Sequence, residues 1–261
     1  MPNATPQRFA HNSLWHAGAF TFAMAVLAWA LYGTDFSISR LIAGVPNMWT
    51  ITGEMLPPDT SRFNAIVSAI ITTLQMAIAG AAIGIALSIP IGFLAAKNTT
   101  PHPWLYRISR AWLTMLRTVP DLAWALFFVA SVGLGPFAGV LTLIVDTVGF
   151  CGRFFAEAIE ETDPQPNEAL AAIGAKPVDR FAVAILPNAS ASMVNTSLFS
   201  LEKAVRSSVV LGLVGAGGIG VELAVSMEMF RYDQASMIIL LVFLLVYGVE
   251  RISNAIRTRI L

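Results

Sequence analysis

The sequence has little charge, and it has almost no cysteine. Of its 261 residues, 12% are Asp, Glu, Lys or Arg, whereas a soluble domain usually has about 25%. The formal net charge is zero, so the chain lacks the overall basic field of a nucleic-acid-binding protein. Cys151 is the only cysteine and the three histidines are scattered. This excludes an intramolecular disulfide and argues against a metal site.

Motifs for nucleotide hydrolysis and catalysis are also missing. The chain has no G-x-x-x-x-G-K-[ST] sequence, so it does not bind and hydrolyse ATP through a P-loop. It has no nucleophile–base or metal constellation that would indicate an enzyme within the membrane. We therefore predict no catalytic residue and no cofactor bound by this chain.

The sequence does contain long apolar intervals. Hydrophobic residues make up 56% of the chain, and the mean hydropathy is +0.69. A charged side chain at the bilayer centre costs at least about 2.5 kcal/mol, so charge-free intervals mark membrane spans. We predict an all-α polytopic membrane protein with about six transmembrane helices. They lie at residues 15–32, within 63–96, two within 122–145 separated by a turn at 133–136, from 181–187 to beyond 200, and at 235–249.

The N-terminal stretch is predicted to be a retained span. Arg8 is followed by no charged residue until Asp35, which is too long for a signal-peptide core, and a cleavage site of small residues is lacking. Residues 1–65 are assigned to a cytoplasmic tail, the first helix and an outer loop at 36–62. Residues 66–261 are assigned to the core transmembrane domain.

Basic residues predict the orientation, because cytoplasmic loops carry an excess of Lys and Arg. With the N-terminus inside, three basic residues face outside and two lie at membrane depth. Both termini and the segment 157–187 are then cytoplasmic. Eleven of the sixteen basic residues fall inside: Arg8, Lys97, Arg107, Arg110, Arg117, Arg153, Lys176, Arg180, Arg251, Arg257 and Arg259.

The cytoplasmic segment contains EALAAIGAKPVDRFAVAILP at residues 168–187. After the helix breakers Pro164 and Pro166, the Ala-rich stretch predicts a short helix with Asn167 as its N-cap. The segment resembles the signature of inner-membrane permeases of binding-protein-dependent ABC importers, which reads Glu-Ala-Ala, three residues, Gly, nine residues, Ile, one residue, Leu-Pro. Leu170 and Ala184 depart from it, and the matching residues are Glu168, Ala169, Gly174, Leu186 and Pro187.

The resemblance implies an ABC importer permease fold in the bacterial inner membrane. It implies a pair of permease subunits, two cytoplasmic ATPases that bind ATP and Mg, an external solute-binding protein, and no nucleic acid. A homodimer is expected, and a pair of two related permeases stays open. The implied ATPase-coupling residues are Glu168, Ala169, Gly174, Ala175 and Lys176. The alternative is an ordinary connector helix on the surface.

Two further stretches bear on the substrate. LRTVPDLAWALFFV at residues 116–129 and VRSSVVLGLVGAGGIG at 205–220 resemble phosphonate-type permeases, with methionine-type permeases as nearer relatives than sugar permeases. This implies import of a phosphonate, or of phosphite or phosphate. A permease for another small solute such as methionine is the alternative, and a secondary transporter or channel is a more distant one.

Glycines near the predicted outer side spell G-x-G-x-x-G. The pattern imitates a dinucleotide-binding fingerprint, but the chain shows no alternation of strands and helices. We predict either a gate or re-entrant turn at the outer mouth, or close packing of helices. The residues concerned are Gly215, Gly217, Gly218 and Gly220.

Ionisable residues at membrane depth usually pair or face a cavity. Arg117 with Asp121, and Glu202 with Arg206, are spaced for pairing along one helix. Lys203 then remains as a cation without an assigned partner. One hypothesis places Arg117, Asp121, Lys203 and Arg206 on a translocation path that favours a phosphorus oxyanion. The alternative is that the charges form ion pairs that fix helix packing.

Overall fold

The computed structural model describes residues 13–260, which divide into two compact units between Gly53 and Glu54. The described residues form α-helices and one π-helical turn, with no strand, so the predicted all-α fold is confirmed. The helices are α1 Ser13–Gly33, α2 Ile38–Glu54, α3 Phe63–Ala95, α4 Pro103–Thr118, α5 Asp121–Val132, α6 Pro136–Glu160, α7 Pro164–Ala172, α8 Pro177–Arg180, α9 Leu186–Gly212, α10 Ile219–Glu228 and α11 Tyr232–Ile260.

The first unit holds α1 and α2. Helix α1 matches the first predicted span, and its apolar window has no buried residue. The predicted outer loop at 36–62 is not all loop, because α2 occupies 17 of its residues. The predicted tail at residues 1–12 lies outside the described residues.

Four helices of the described chain, α1, α3, α6 and α11, are long and apolar enough to cross a membrane. A fifth span arises if α4 and α5, which are bent by 88° at their junction, are counted together. Helix α9 has 27 residues and lies where a span was predicted, but it is not among the four. Helix α11 extends beyond the predicted 235–249. It includes Arg251, Arg257 and Arg259, which were predicted to follow the last span.

The prediction of a complete span within residues 122–132 is wrong. Helix α5 has only 12 residues, or about 18 Å at 1.5 Å per residue, which is less than the roughly 30 Å of a hydrocarbon core. Val119 breaks the path from α4 to α5, with φ −79° and ψ 124°. A residue before proline disfavours the helical conformation, and Pro120 follows it.

Helices α3 and α6 pack in parallel through glycines. A Cβ atom on Gly80 would lie 2.5 Å from Cβ of Leu143, and one on Gly84 would lie 2.5 Å from Cβ of Thr147. Moving four residues along one helix therefore moves four residues along the other in the same direction. Because α3 and α6 run in the same direction, the chain must cross back to the other end of the bundle before α6 begins. Helices α4 and α5 together make this crossing.

The C-terminal ends of α3 and α6 meet α4 in a charged cluster. Arg110 of α4 forms an ion pair with Glu160 at 2.9 Å, and its Nε donates to the carbonyl oxygen of Ala95 at 2.6 Å. The backbone N–H of Lys97 donates to Oε1 of Glu160 at 2.8 Å. These contacts gather several of the residues predicted to be cytoplasmic at one end of the bundle.

The opposite end joins the starts of α3 and α11. The backbone N–H of Asp59 donates to the carbonyl oxygen of Asp233 at 3.1 Å, and Nε2 of Gln234 donates to Oδ2 of Asp59 at 3.1 Å. Hydrogen bonds from Ser61, together with that of Gln234, hold the pKa of Asp59 below its ordinary value. The segment before α3 is thereby fixed to the start of α11.

Candidate translocation path and coupling segment

The two glycine-containing turns predicted from the sequence lie against each other. The backbone N–H of Gly135 donates to the carbonyl oxygen of Gly215 at 2.9 Å. A Cβ on Gly217 would lie 2.7 Å from the nitrogen of Pro136. Gly215 and Gly217 have φ of +85° and +84°, values that residues other than glycine rarely adopt. The α5–α6 turn and the turn after α9 therefore form one contact.

The remaining glycines of this motif also lie at close contacts. The N–H of Ile219, which follows Gly218, donates to Oγ1 of Thr73 at 2.7 Å. A Cβ on Gly220 would lie 2.0 Å from the carbonyl oxygen of Val209. These distances fit the close-packing alternative, and a role of the four glycines as an outer gate stays a prediction.

Lys203 has a partner, contrary to the prediction that it is left unassigned. Its Nζ lies 2.6 Å from Oδ1 of Asp146 on α6. The side chain of Asp146 is 11% exposed and that of Lys203 is 32% exposed. Sequence spacing could not indicate this pair, because the two residues lie on different helices.

The predicted pair of Glu202 with Arg206 is not formed. Nη2 of Arg257, near the end of α11, lies 2.7 Å from Oε1 of Glu202 instead. Glu202 is buried and α11 packs beside α9, so Arg257 reaches the carboxylate across the helix interface. Arg206 is exposed and makes no ion pair with any carboxylate of residues 13–260.

The predicted pair of Arg117 with Asp121 is also not formed. The bend at Val119 separates the two residues, so they do not share a helix face. The Arg117 guanidinium lies over the ring of Phe154, 5.6 Å from its centroid. Asp121 instead accepts a hydrogen bond from the hydroxyl of Ser207 at 3.3 Å.

An aromatic stripe connects these charges, and the sequence analysis missed it. Phe150 and Phe154 follow Asp146 on α6 at intervals of four residues, and their ring centroids are 4.7 Å apart. Phe199 of α9 stacks on Phe150 at 5.6 Å, and Nζ of Lys203 lies 5.3 Å from the Phe150 centroid. Arg117 and Lys203 thus both lie over rings of the stripe, at the distances of cation–π interactions. The four-residue spacing of Asp146, Phe150 and Phe154 was the available signal.

Arg206 lines a cavity of about 250 Å³. Asp121 and Ser207 supply its other polar groups, and three apolar residues complete it: Leu122, Val210 and Leu211. Of the four residues predicted for the translocation path, the structure brings Asp121 and Arg206 together here. Lys203 and Arg117 lie instead on the aromatic stripe.

The short helix of the coupling segment begins earlier than predicted. Helix α7 starts at Pro164, and its N-cap is Asp163, whose Oδ1 accepts from the backbone N–H of Gln165 at 3.0 Å. The prediction of Asn167 as N-cap is therefore wrong. The prolines do not break this helix, because the first turn has no use for their missing N–H groups.

A Schellman motif ends α7. The N–H of Ala175 donates to the carbonyl oxygen of Leu170 at 3.0 Å, and the N–H of Gly174 donates to that of Ala171 at 3.0 Å. Gly174 has a φ of +82°, and nothing lies within 4 Å of the position of a Cβ. The chain reversal predicted at this glycine is present.

The predicted coupling residues lie on an open surface. No residue of α7 or α8 is buried, and Glu168, Ala169 and Lys176 are exposed. Ile173 is 79% exposed and Val178 is 70% exposed. The π-helical turn Phe181–Ile185 then leads directly into α9. The segment therefore offers a mixed polar and apolar surface attached to a long helix.

Comparison with known proteins identifies the family. Residues 88–261 match the family described as the binding-protein-dependent transport system inner membrane component. The chain belongs to this family. It is therefore a multi-pass protein of the inner membrane and a transport permease subunit.

Individual members of the family align over most of the chain. The phosphite transport system permease protein PtxC of Stutzerimonas stutzeri is 39% identical over 239 residues, which cover 92% of this chain and 86% of PtxC. The phosphate-import permease protein PhnE of Mycolicibacterium smegmatis is 41% identical over 208 residues, covering 79% of this chain and 39% of that protein. The probable D-methionine permease MetI of Vibrio cholerae is 30% identical and covers 72% of this chain and 88% of MetI.

A solved structure has the same fold. An inward-facing structure of the MetNI methionine ABC transporter aligns with a TM-score of 0.69 and 24% identity, and covers 78% of this chain and 99% of that chain. At this identity, the likeness concerns the fold alone. The helices in the aligned part of the chain are thus arranged as in that structure.

Proposed function

We propose that this permease imports a phosphonate or a related phosphorus oxyanion, such as phosphite or phosphate, by ATP-driven alternating access. The observation that carries the proposal is the alignment over nine-tenths of the chain with a phosphite transport permease. A methionine permease is the second candidate, since MetI of Vibrio cholerae is also a relative. Identity to that protein is lower, 30% against 39%.

The exposed coupling segment is the proposed contact with the ATPase. Glu168 and Ala169 lie on α7, while Gly174, Ala175 and Lys176 form the turn after it. The carboxylate of Glu168 suits a basic partner residue, and the exposed Ile173 and Val178 suit an apolar groove. ATP and Mg belong to the partner, and its closure would move α7, α8 and the π-helical turn together with α9.

Arg206, Arg117 and Lys203 have different proposed roles in the translocation path. Arg206 makes no ion pair with a carboxylate in the described part of the chain, and it lines a cavity. It is therefore the proposed contact for an oxyanion, with Asp121 and Ser207 beside it. Arg117 adds positive charge over Phe154. Lys203 is compensated by Asp146, and its main effect is to hold α9 against α6. The contact between Gly135 and Gly215 would open and close as the outer gate.

The proposed assembly contains two permease subunits, two ATPases and an external solute-binding protein. A homodimer is proposed as the simplest assembly, in which one permease chain supplies both subunits. We propose that both termini and α7 lie on the cytoplasmic side, since Lys97 and Arg110, two of the basic residues that favour this side, meet at one end of the bundle.

Transport by the purified assembly tests the proposal. The permease, its ATPase and the solute-binding protein would be reconstituted in proteoliposomes loaded with ATP. We expect uptake of radiolabelled phosphite that is competed by methylphosphonate or phosphate and is lost with an ATPase that cannot hydrolyse ATP. Competition by methionine alone would favour the second candidate. Uptake without ATP hydrolysis would contradict an ABC importer.

A further inference from the structure

Helix α2 has an apolar face that no residue of the described chain buries. Six large apolar side chains recur at intervals of three, one, three, three and one residues, which places them on one side of an α-helix. Each is more than half exposed, from 54% for Val45 to 81% for Trp49. The face consists of Ile38, Leu41, Ile42, Val45, Met48 and Trp49.

The opposite side of α2 is mostly polar and nearly uncharged. It presents Ser39, Arg40, Asn47, Thr50 and Glu54, together with Ala43 and Ile51, which is 37% exposed. The single positive charge and the single negative charge cancel. A face of this kind remains in water, but it offers little to a strongly charged protein partner.

The position of α2 places it at the edge of the bilayer. Helix α1 has the length and composition of a membrane span and ends at Gly33, and α2 begins at Ile38. The four linking residues reach at most about 14 Å when extended. The link is also partly coiled, because the N–H of Phe36 donates to the carbonyl oxygen of Leu31 at 3.1 Å. The start of α2 therefore cannot move far from the end of the span.

Exposed aromatic residues lie at the end of α1 and on the apolar face of α2. Tyr32 at the end of α1 is 87% exposed, and Trp49 is the most exposed member of the apolar face. Tyr and Trp favour the boundary between acyl chains and headgroups. No residue in the apolar window of α1 is buried, so the exposed apolar face of α2 follows a helix whose apolar surface is itself uncovered.

We propose that α2 is an interfacial helix, with its apolar face in the acyl-chain region and its polar face in water. The occupant of the face is thus the lipid bilayer. Because the polar side has no net charge, binding depends on buried apolar area and not on anionic lipid. The proposal does not rest on the transported substrate.

Spin labels at matched positions on the two faces test this inference. Ile42→Cys lies on the apolar face, and Asn47→Cys lies on the polar face. Cys151 is buried and stays in place, and labelling of the unmodified chain gives the background. In proteoliposomes of zwitterionic lipid, we expect the label at position 42 to collide with oxygen and to be shielded from a water-soluble nickel chelate. The label at 47 should show the reverse.

Other occupants give different results. A second copy of this chain at the face would shield position 42 from both reagents and would bring labels on two copies within dipolar range. A partner protein would shield position 42 only after that protein is added. Equal access of nickel to positions 42 and 47 would place α2 in water. Each of these three results overturns the proposal, as does a pattern that appears only with anionic lipid. If the Ile42→Cys variant does not insert into the membrane, Val45→Cys takes its place. Phosphite uptake separately tests the proposed function.

Discussion

Arg257 of α11 lies 2.7 Å from the buried carboxylate of Glu202 on α9. The pair joins two helices that are 55 residues apart at these positions. It makes the end of α11 part of the helix bundle and not a free basic tail. A buried carboxylate in an apolar environment is costly unless a cation compensates it.

Glu202→Gln should destabilise the fold, because it leaves Arg257 without its partner. We expect a loss of about 2–3 kcal/mol, less than the about 3–5 kcal/mol of a fully buried pair, since 23% of the Arg257 side chain is exposed. A thermal unfolding scan in detergent should show a melting temperature lowered by roughly 4–10 °C.

The control is Glu250→Gln, an exposed glutamate on the same helix as Arg257, which should leave the melting temperature unchanged. Arg257→Gln should match Glu202→Gln, while Arg206→Gln should not. If Arg206→Gln were as destabilising as Arg257→Gln, the assigned partner of Glu202 would be incorrect.

The ion pair of Lys203 and Asp146 should contribute to stability but should not be required for transport. Lys203→Met leaves the carboxylate of Asp146 without its cation and should lower stability. Adding Asp146→Leu should recover most of that loss, because an apolar pair often replaces a buried ion pair without cost. We expect the double variant to retain most phosphite uptake in proteoliposomes.

Arg206→Gln should have the opposite profile. The side chain of Arg206 makes no ion pair with a carboxylate of residues 13–260, so the substitution should leave stability unchanged. Uptake should fall about tenfold or more, because the charge-assisted contact to the oxyanion is lost. Uptake and melting temperature are measured on the same preparations. Full uptake by Arg206→Gln would remove this residue from the proposed path.

Replacing glycine by alanine should lower the stability at one position, in α10, and raise it at another, in α11. A Cβ on Gly220 would meet the carbonyl oxygen of Val209 at 2.0 Å, whereas one on Gly248 of α11 would meet nothing within 4 Å. Gly220→Ala should cost about 1–3 kcal/mol by overpacking. Gly248→Ala should gain about 0.5–1 kcal/mol by favouring the helix. Melting temperatures that rise in both variants would show that α10 does not pack tightly on α9.

The coupling helix should depend on its cap. Asp163→Ala removes the acceptor for the N–H of Gln165 and should cost about 1 kcal/mol of local helix stability. Hydrogen exchange in residues 164–172 should become faster, with little change in global melting. Asp163→Asn keeps a capping side chain and should exchange like the unmodified chain. Faster exchange in both variants would point to the charge, and not to the cap, as the stabilising feature.

Hydropathy was sufficient to place α1 and α3. The charge-free intervals located α1 and α3, and the glycines at 133–136 located the turn between α5 and α6. These features depend on which residues tolerate lipid and which backbone angles they adopt. Such properties belong to single residues and short segments, so the sequence reports them directly.

The partners of the membrane charges could not be found in the same way. Spacing along one helix favoured Glu202 with Arg206, but the partner of Glu202 comes from α11 and that of Lys203 from α6. Contacts between helices depend on packing that a hydropathy pattern does not contain. The bend between Arg117 and Asp121 was different, because Pro120 was a visible signal that the helix would break there.

The π-helical turn Phe181–Ile185 lies between the predicted coupling segment and the long helix α9. A π-helical turn accommodates an additional residue within a helix. Five residues in such a turn, at roughly 80° each, cover nearly the same rotation as four α-helical residues at about 100° each. Deletion of one residue within the turn would therefore let α8 and α9 join as regular α-helix with the direction of Glu168 almost unchanged. Deletion of one residue from the regular part of α9 would instead turn this surface by about 100° relative to the far end of that helix, away from the position proposed for its ATPase.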